Sequence, residues 1–409
     1  MISAGAARAD ITPPVGTWQA GFGGRDRPSE GIHTHLFTRA FAFSDGTQTA
    51  CLVTNDLIGL SRPEILKIRH RAVRQCPELA PSDIMISCTH THSGPAVSTY
   101  LRGQPKDYDY IDRVCDTIAD TIARACDRLE PAELVCGETQ VEGYNHNRRD
   151  ENGYCEKRLA WLEARTPSGD PVAGIVNFTA HPTMHTGYVI SGDYAGVLAE
   201  NLEDALEAPV GMINGCHGNI NAYPRAKEDT SLVDDHGRRL AGEVLKVRDG
   251  GLQIVAADSV DTASEMVLLT FGPPRPRETY RQIAAGDEGP EYVREWAQDV
   301  LDKYPGDPVD AVEEGEVMAI YLGDMAIVGL PGHAFAEICR DIISEVPDRW
   351  LMFANHANDY LGYFATREGH QEGGYEVEFA YRFNSSFRWA MDAETSYRIQ
   401  EAAMRLAGE

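Results

Sequence analysis

No C-x-x-C pair occurs among the nine cysteines (Cys51, Cys76, Cys88, Cys115, Cys126, Cys136, Cys155, Cys216, Cys339). Scattered and odd in number, they exclude a Cys-based zinc knuckle and argue against a disulfide framework, so a reducing compartment is expected. No apolar run approaches the roughly 20 residues that cross a bilayer. The opening Met1-Ile2-Ser3-Ala4-Gly5 has neither the charged nor the apolar region of an export signal. The expectation is a cytoplasmic protein without membrane insertion. Basic residues are scarce: 37 Lys and Arg against 63 Asp and Glu leave a net charge of −26. Such a charge repels nucleic-acid backbones and anionic lipid surfaces at long range, so no nucleic-acid partner is expected. Internal repeats and low-complexity tracts are also missing, which removes solenoids and disordered arrays from consideration.

What is present is a 409-residue chain with 43% hydrophobic content, enough to bury a large core. Short apolar runs alternate with amphipathic stretches, the pattern of an α/β protein with mixed β-sheets flanked by helices. The whole chain, 1–409, reads as one catalytic domain; a homo-oligomer is compatible with it. Arg39 to Ser44, the turn Asp45-Gly46 and Thr49 to Thr54 read as a hairpin. Ser61 caps a predicted helix reaching Gln75, and Ile84 to Cys88 forms the next strand. A helix is predicted from Tyr108 to Leu129, ended by Pro131. Further strands are expected at Leu159 to Ala164, Val172 to Phe178, Val210 to Ile213, Val317 to Leu322, Met325 to Leu330 and Trp350 to Asn355. Residues 273–308, Pro-rich and then charged and helical, break the rhythm and read as a helical insertion over the site.

The chemistry gathers where predicted strands end. His90-Thr91-His92 sets two imidazoles two residues apart, able to face one ion or one substrate from an extended backbone. Ala180-His181-Pro182-Thr183-Met184-His185 follows another strand, and Pro331-Gly332-His333 a third. In α/β folds, ligand sites collect at the C-terminal ends of strands. Spacing alone leaves open which of these segments converge.

The run Thr89-His90-Thr91-His92-Ser93-Gly94-Pro95 resembles the signature of the neutral ceramidase family and its shorter bacterial relatives. The resemblance continues in order through Ala9-Asp10-Ile11-Thr12-Pro13-Pro14, Asn147-Arg148, Ala180-His181-Pro182, Ser191-Gly192-Asp193, Gly218-Asn219-Ile220-Asn221, Leu330-Pro331-Gly332 and Asn358-Asp359-Tyr360. It implies a zinc-dependent amidohydrolase in which His90, His181 and Tyr363 bind the metal. It also implies that His92 works on the substrate, that Arg148 binds the substrate's polar group, and that Tyr375, ahead of Glu376, is a second active-site tyrosine.

Two departures stand out. Where the family has a zinc-binding glutamate after Pro-Gly, this chain has His333, so three imidazoles and a phenolate are expected to hold zinc, with iron as the alternative ion. Glu337, one helical turn on, is the fallback ligand. The family's aspartate-containing loop becomes Cys216-His217-Gly218-Asn219-Ile220-Asn221, and Cys216 is weighed as a nucleophile against an ordinary buried thiol. His185 and His217 read as pocket-lining or second-metal residues on one view and as structural histidines on the other. His33, His35, His356 and His370 read as surface residues near turns. Asp193 either orients a ligand imidazole or caps the helix beside it. Longer ceramidases carry a further C-terminal β-sandwich domain that this chain is expected to lack, which turns the expected substrate from ceramide to a small soluble amide. A lactonase, esterase, lyase or isomerase on the same scaffold, or a metal-binding protein without catalysis, are the rival classes.

Overall fold

The computed structural model describes residues 2–99, 101–102, 104–286, 291–308, 312–383 and 389–409. Two sheets lie face to face. The larger has nine strands, eight of them in the spatial order Val210–Asn214, Pro171–Phe178, Arg158–Arg165, Glu130–Gln140, Ile2–Asp10, Phe37–Ser44, Thr49–Asn55 and Ile84–Cys88, with Gln253–Ile254 pairing beside Glu130–Gln140. The smaller runs Val260–Thr270, Val312–Leu322, Met325–Leu330, Trp350–Asn355. Between them Phe41, Phe43, Leu52, Met85, Leu162, Ile175 and Ile213 meet Met318, Ile320, Ile327 and Met352 in a dry core.

Helices cover both outer faces. On the larger sheet lie α1 (Arg62–Gln75) and α2 (Tyr108–Cys126) over one half, and α3 (Asp193–Leu206) and α4 (Thr230–Asp249) over the other. Two helices, α5 (Arg277–Ala285) and α6 (Glu291–Lys303), stand apart around their own small core of Tyr280, Trp296, Ala297 and Val300. The smaller sheet is covered by α7 (Ala336–Glu345) and α9 (Ala393–Gly408), with the short α8 (Arg367–Glu372) between them in sequence. The fold is thus α/β with mixed sheets flanked by helices. Of the stretch 273–308, residues 287–290 lie outside the described residues.

Three elements differ from the sequence reading. The predicted helix to Leu129 stops at Cys126, and Pro131 sits near the start of a strand, opposite Ser3; proline is tolerated at the beginning of a strand, where a missing N–H costs little. The strand Ile2–Asp10 was not expected because its Ser, Ala and Gly residues carry no β-branched signal. Likewise Val260–Thr270, where Asp261, Ser264 and Glu265 interrupt the apolar residues, forms a full-length ladder with Val312–Leu322. A fourth difference is covalent: Cys216 is bonded to Cys339 across 123 residues, tying the loop before His217 to α7. Sequence separation conceals such a pair, and the nucleophile reading of Cys216 falls with it because that sulfur carries no free thiol.

The larger sheet curls so that its two ends approach. Asn214 Nδ2 donates to Thr89 O at 3.1 Å, joining the strand ends at Val210–Asn214 and Ile84–Cys88. Asn177 exchanges two bonds with Phe353, donating to its carbonyl at 2.9 Å and accepting from its N–H at 3.1 Å, which locks the two sheets together. Asn358 also bridges them, its Oδ1 accepting from Ile86 N at 2.9 Å and its backbone N–H donating to Ile86 O at 2.8 Å. Next to it, Asp359 Oδ1 accepts from the backbone N–H groups of Arg62 at 3.0 Å and Tyr360 at 2.7 Å, serving the first turn of α1. Burial pushes the Asp359 carboxyl up from 3.8 to about 7. A carboxyl whose pKa is raised on folding favours the fold while protonated, and that contribution fades as pH rises from about 4 through about 7. The Asp359→Asn variant, which keeps the acceptor oxygen, is therefore expected to gain thermal stability relative to the parent as pH rises from 4.5 to 8. Parallel melts of the two proteins check this, and a difference that stays flat with pH would contradict it.

Candidate metal centre

Five strands from both sheets end at one point, and each is followed within three residues by a histidine. Ile84–Cys88 leads to His90, Pro171–Phe178 to His181, Val210–Asn214 to His217, Met325–Leu330 to His333 and Trp350–Asn355 to His356. Backbone bonds staple these loops together. His92 N donates to Pro182 O at 3.1 Å, His333 N to Gly362 O at 2.7 Å, Gly218 N to Ala334 O at 2.8 Å, and His356 N to Gly332 O at 3.3 Å. Close approach demands glycine at two places. A Cβ on Gly218 would stand 2.7 Å from His333 O, and one on Gly21 would stand 2.5 Å from the His92 ring.

At φ +97°, Gly21 also holds a left-handed conformation that side-chain-bearing residues rarely adopt. The non-glycine residues His90 (φ 70°), His356 (φ 52°) and Asn358 (φ 64°) share such strain, which concentrates at this junction.

Among the described residues, the side chains form two sets of converging donors, both made of imidazoles. In one, the donor atoms of His90, His92 and His181 lie within 4.8 Å of one another; in the other, those of His90, His217, His333 and His356 do. His90 Nδ1 is tied to Ile58 O at 2.5 Å, and its Nε2 lies 2.9 Å from His92 Nε2. His181 Nδ1 is bonded to Ile220 O at 3.0 Å, and His217 Nδ1 to Gly215 O at 2.8 Å. In both rings this anchors Nδ1 and leaves a buried Nε2 with no hydrogen-bond partner. Burial pushes the His90 imidazole down to about 3 and those of His92, His181, His217, His333 and His356 well below the ordinary histidine range. All are therefore neutral near pH 7, the state in which imidazole binds a metal.

The expected residues are placed as follows. His90 and His181 share a set with His92, while His333 joins the other set, its ring parallel to that of His181 and 5.5 Å away. Tyr363 stacks on His333 with ring centres 4.1 Å apart. Behind it Arg148 is held by Glu376, with Nε at 2.9 Å and Nη2 at 2.8 Å from Oε1. The Arg148 guanidinium lies 5.4 Å from the Tyr363 ring centre and 5.9 Å from that of Tyr375. His356 is a correction: read as a surface residue, it is 1% exposed and belongs to the cluster. Its sequence neighbourhood looks like a polar turn because the Asn and Asp beside it spend their polarity on backbone bonds inside the protein. His217 is likewise buried in the cluster. His185 falls outside both sets, and Asp193 bonds the backbone N–H groups of His185 at 3.0 Å and Tyr194 at 2.8 Å, so it serves the chain and not a ligand ring. His33 pairs with Asp234 at 2.9 Å, away from the site.

The fallback ligand Glu337 faces another cavity and accepts from Asn219 Nδ2 at 2.8 Å. His333→Ala is accordingly expected to weaken metal binding far more than Glu337→Ala, and His333→Glu to restore much of it. Metal content by elemental analysis after dialysis ranks the three, and a greater loss in Glu337→Ala would reverse the assignment.

A cavity of about 220 Å³ opens onto the cluster, lined by His90, His92, His333, Tyr360, Tyr363 and Tyr375 at one end. Phe22, Leu101, Tyr292 and Phe383 give it an apolar wall, and α6 brings Glu291, Tyr292 and Glu295 to it. Tyr292 stacks on Phe383 at 4.0 Å. Of the six clustered imidazoles only that of His92 is partly exposed.

Residues 3–217, just over half of the chain, match the family described as neutral/alkaline non-lysosomal ceramidase, N-terminal. The chain belongs to this family. Neutral ceramidase A of Dictyostelium discoideum is 29% identical over 214 residues, which is 46% of this chain and 30% of that protein. The neutral ceramidase of Pseudomonas aeruginosa is 26% identical over 234 residues, 51% of this chain and 34% of that protein. The matched stretch thus spans only about a third of these relatives' length. The crystal structure of the Pseudomonas aeruginosa neutral ceramidase superimposes with a TM-score of 0.80 at 20% identity, covering 100% of this chain and 74% of that one. A structure described as ceramidase complexed with C2 gives a TM-score of 0.82 at 18% identity, over 100% and 75% of the two chains. The ceramidase fold therefore extends over the whole chain, including the half beyond residue 217.

Proposed function

We propose that this ceramidase-family chain is a metal-dependent hydrolase that cleaves the amide bond of a small N-acyl substrate. The observation that carries the reading is the set of buried, neutral imidazoles whose unpartnered nitrogens converge at the end of a cavity. Such donors fit a borderline transition ion, zinc first and iron as the alternative, and do not fit magnesium or calcium, which take oxygen. His90 and His181 would hold it, with His333 and Tyr363 completing the set. A bound ion of this kind polarises a carbonyl and brings the pKa of its water toward neutrality.

The chain's own groups supply the rest. His92, the one partly exposed imidazole, takes a proton from the attacking water at its ring nitrogen and returns it to the leaving amine. Tyr375, at the cavity wall, offers its hydroxyl to the developing oxyanion. Arg148, fixed by Glu376, orients Tyr363 and Tyr375 and lends positive charge to the site. Phe22, Leu101 and Phe383 exclude water from the acyl end. At about 220 Å³ the cavity is smaller than the roughly 300–1,000 Å³ of typical ligand pockets, which favours a short acyl group over a long-chain lipid.

A panel of short N-acyl amines, esters, lactones and micellar ceramide, assayed before and after chelation, tests the proposal. Turnover of a short N-acyl compound that chelation abolishes and zinc restores is expected. Turnover of ceramide alone would overturn the small-substrate reading, and turnover confined to lactones or esters the amidase reading. No turnover anywhere in the metal-loaded protein would favour a binding role.

A further inference from the structure

His217 and His356 have no task in the reaction just described, yet both are enclosed in the site. His217 is 0% and His356 1% exposed. With His217 Nδ1 engaged by Gly215 O, its Nε2 presents a lone pair that has no partner. Neither ring nitrogen of His356 has a partner, and His333 Nδ1 is also unpartnered. These rings pack closely: His333 and His356 are 4.1 Å apart between centres, and His217 and His356 5.2 Å. Buried polar atoms are costly to leave unpaired, and the donor atoms of the three residues lie within 4.8 Å of one another. Each neutral imidazole has one lone pair to give, and a transition ion accepts all three at once.

We infer that His217, His333 and His356 hold a second transition-metal ion beside the one held by His90 and His181. The inference rests on the reading of His90 and His181 as a metal position, and it changes that reading at one residue, since His333 then serves the second ion. Its three ligands come from the ends of three strands, one in the larger sheet and two in the smaller. The second position is thus built where the two sheets meet. Three neutral imidazoles with no carboxylate select zinc, cobalt, iron, nickel or copper over calcium and magnesium. The donor of His90 belongs to both sets, so the two positions are neighbours that can act on one substrate group.

Cobalt(II) titration of the chelator-stripped full-length protein, followed by elemental analysis and electron paramagnetic resonance, tests this. The parent protein is expected to take up two equivalents per chain and to show magnetic coupling when full. The His217→Ala, His356→Ala and His181→Ala variants should each take up one equivalent, without coupling. Saturation of the parent at one equivalent would overturn the second position. If that single ion is lost in His181→Ala and kept in the other two, the first position still stands; if the reverse holds, the ion sits on His217, His333 and His356, and the His90 and His181 position fails together with the pairing of two ions. Circular dichroism identifies a variant that does not fold, and His217→Gln or His356→Gln, which keep a polar side chain, then replace it.

Discussion

Replacing His181 by alanine is expected to remove the ion from its position and abolish hydrolysis, with the fold retained. The side chain lies at 0% exposure with Nδ1 locked to Ile220 O, so Nε2 is aimed at His90 and His92 without freedom to turn away. His217 cannot turn to replace it, because its Nδ1 is anchored to Gly215 O, and His185 lies outside the donor sets. The fold should survive because the core between the sheets is formed by residues such as Phe41, Leu162 and Ile320, which do not depend on the metal. His90→Ala should behave alike. Elemental analysis, circular dichroism and the amide assay on the same sample check the three statements together. A His181→Ala protein that keeps its full metal complement would remove His181 from the ligand set.

The second large effect is expected at His92. As the partly exposed imidazole, held against Phe22 and wedged beside Gly21, it meets the cavity where the others do not. His92→Ala should lower turnover by about 10²- to 10⁴-fold, the range contributed by a positioned acid-base group, with metal content near that of the parent. Tyr375→Phe should cost on the order of 10²- to 10³-fold, as for a lost oxyanion donor, and leave the metal untouched. The test is sharp because His92 Nε2 also stands 2.9 Å from His90 Nε2. If His92→Ala loses metal in proportion to activity, His92 is a ligand and the proton shuttle must be sought elsewhere.

Much of the site was legible in the order of residues. His90, His92, His181 and His333 each follow an apolar run that ends in a strand, and local pattern suffices to find such a run and the histidine after it. The same pattern placed the hairpin around Asp45-Gly46 and the helix α1, because turn propensity and helix capping are settled by a few neighbouring residues. His217 and His356 carry the same signal of strand followed by histidine; for His217 it left a pocket or second-metal role and a structural one both open, and for His356 it was outweighed by the polar residues around it.

What the chain by itself determined, then, is the set of local elements and the histidines at their ends, since these depend on periodicity and on residues close in sequence. Only the tertiary structure decided which strand ends meet. The curl that brings Ile84–Cys88 beside Val210–Asn214, the Asn177 lock between the sheets, the bond between Cys216 and Cys339, and the burial of His356 all join residues far apart in the chain. Their pairing depends on how two sheets share one core, a property of the packed whole that no short stretch of residues encodes.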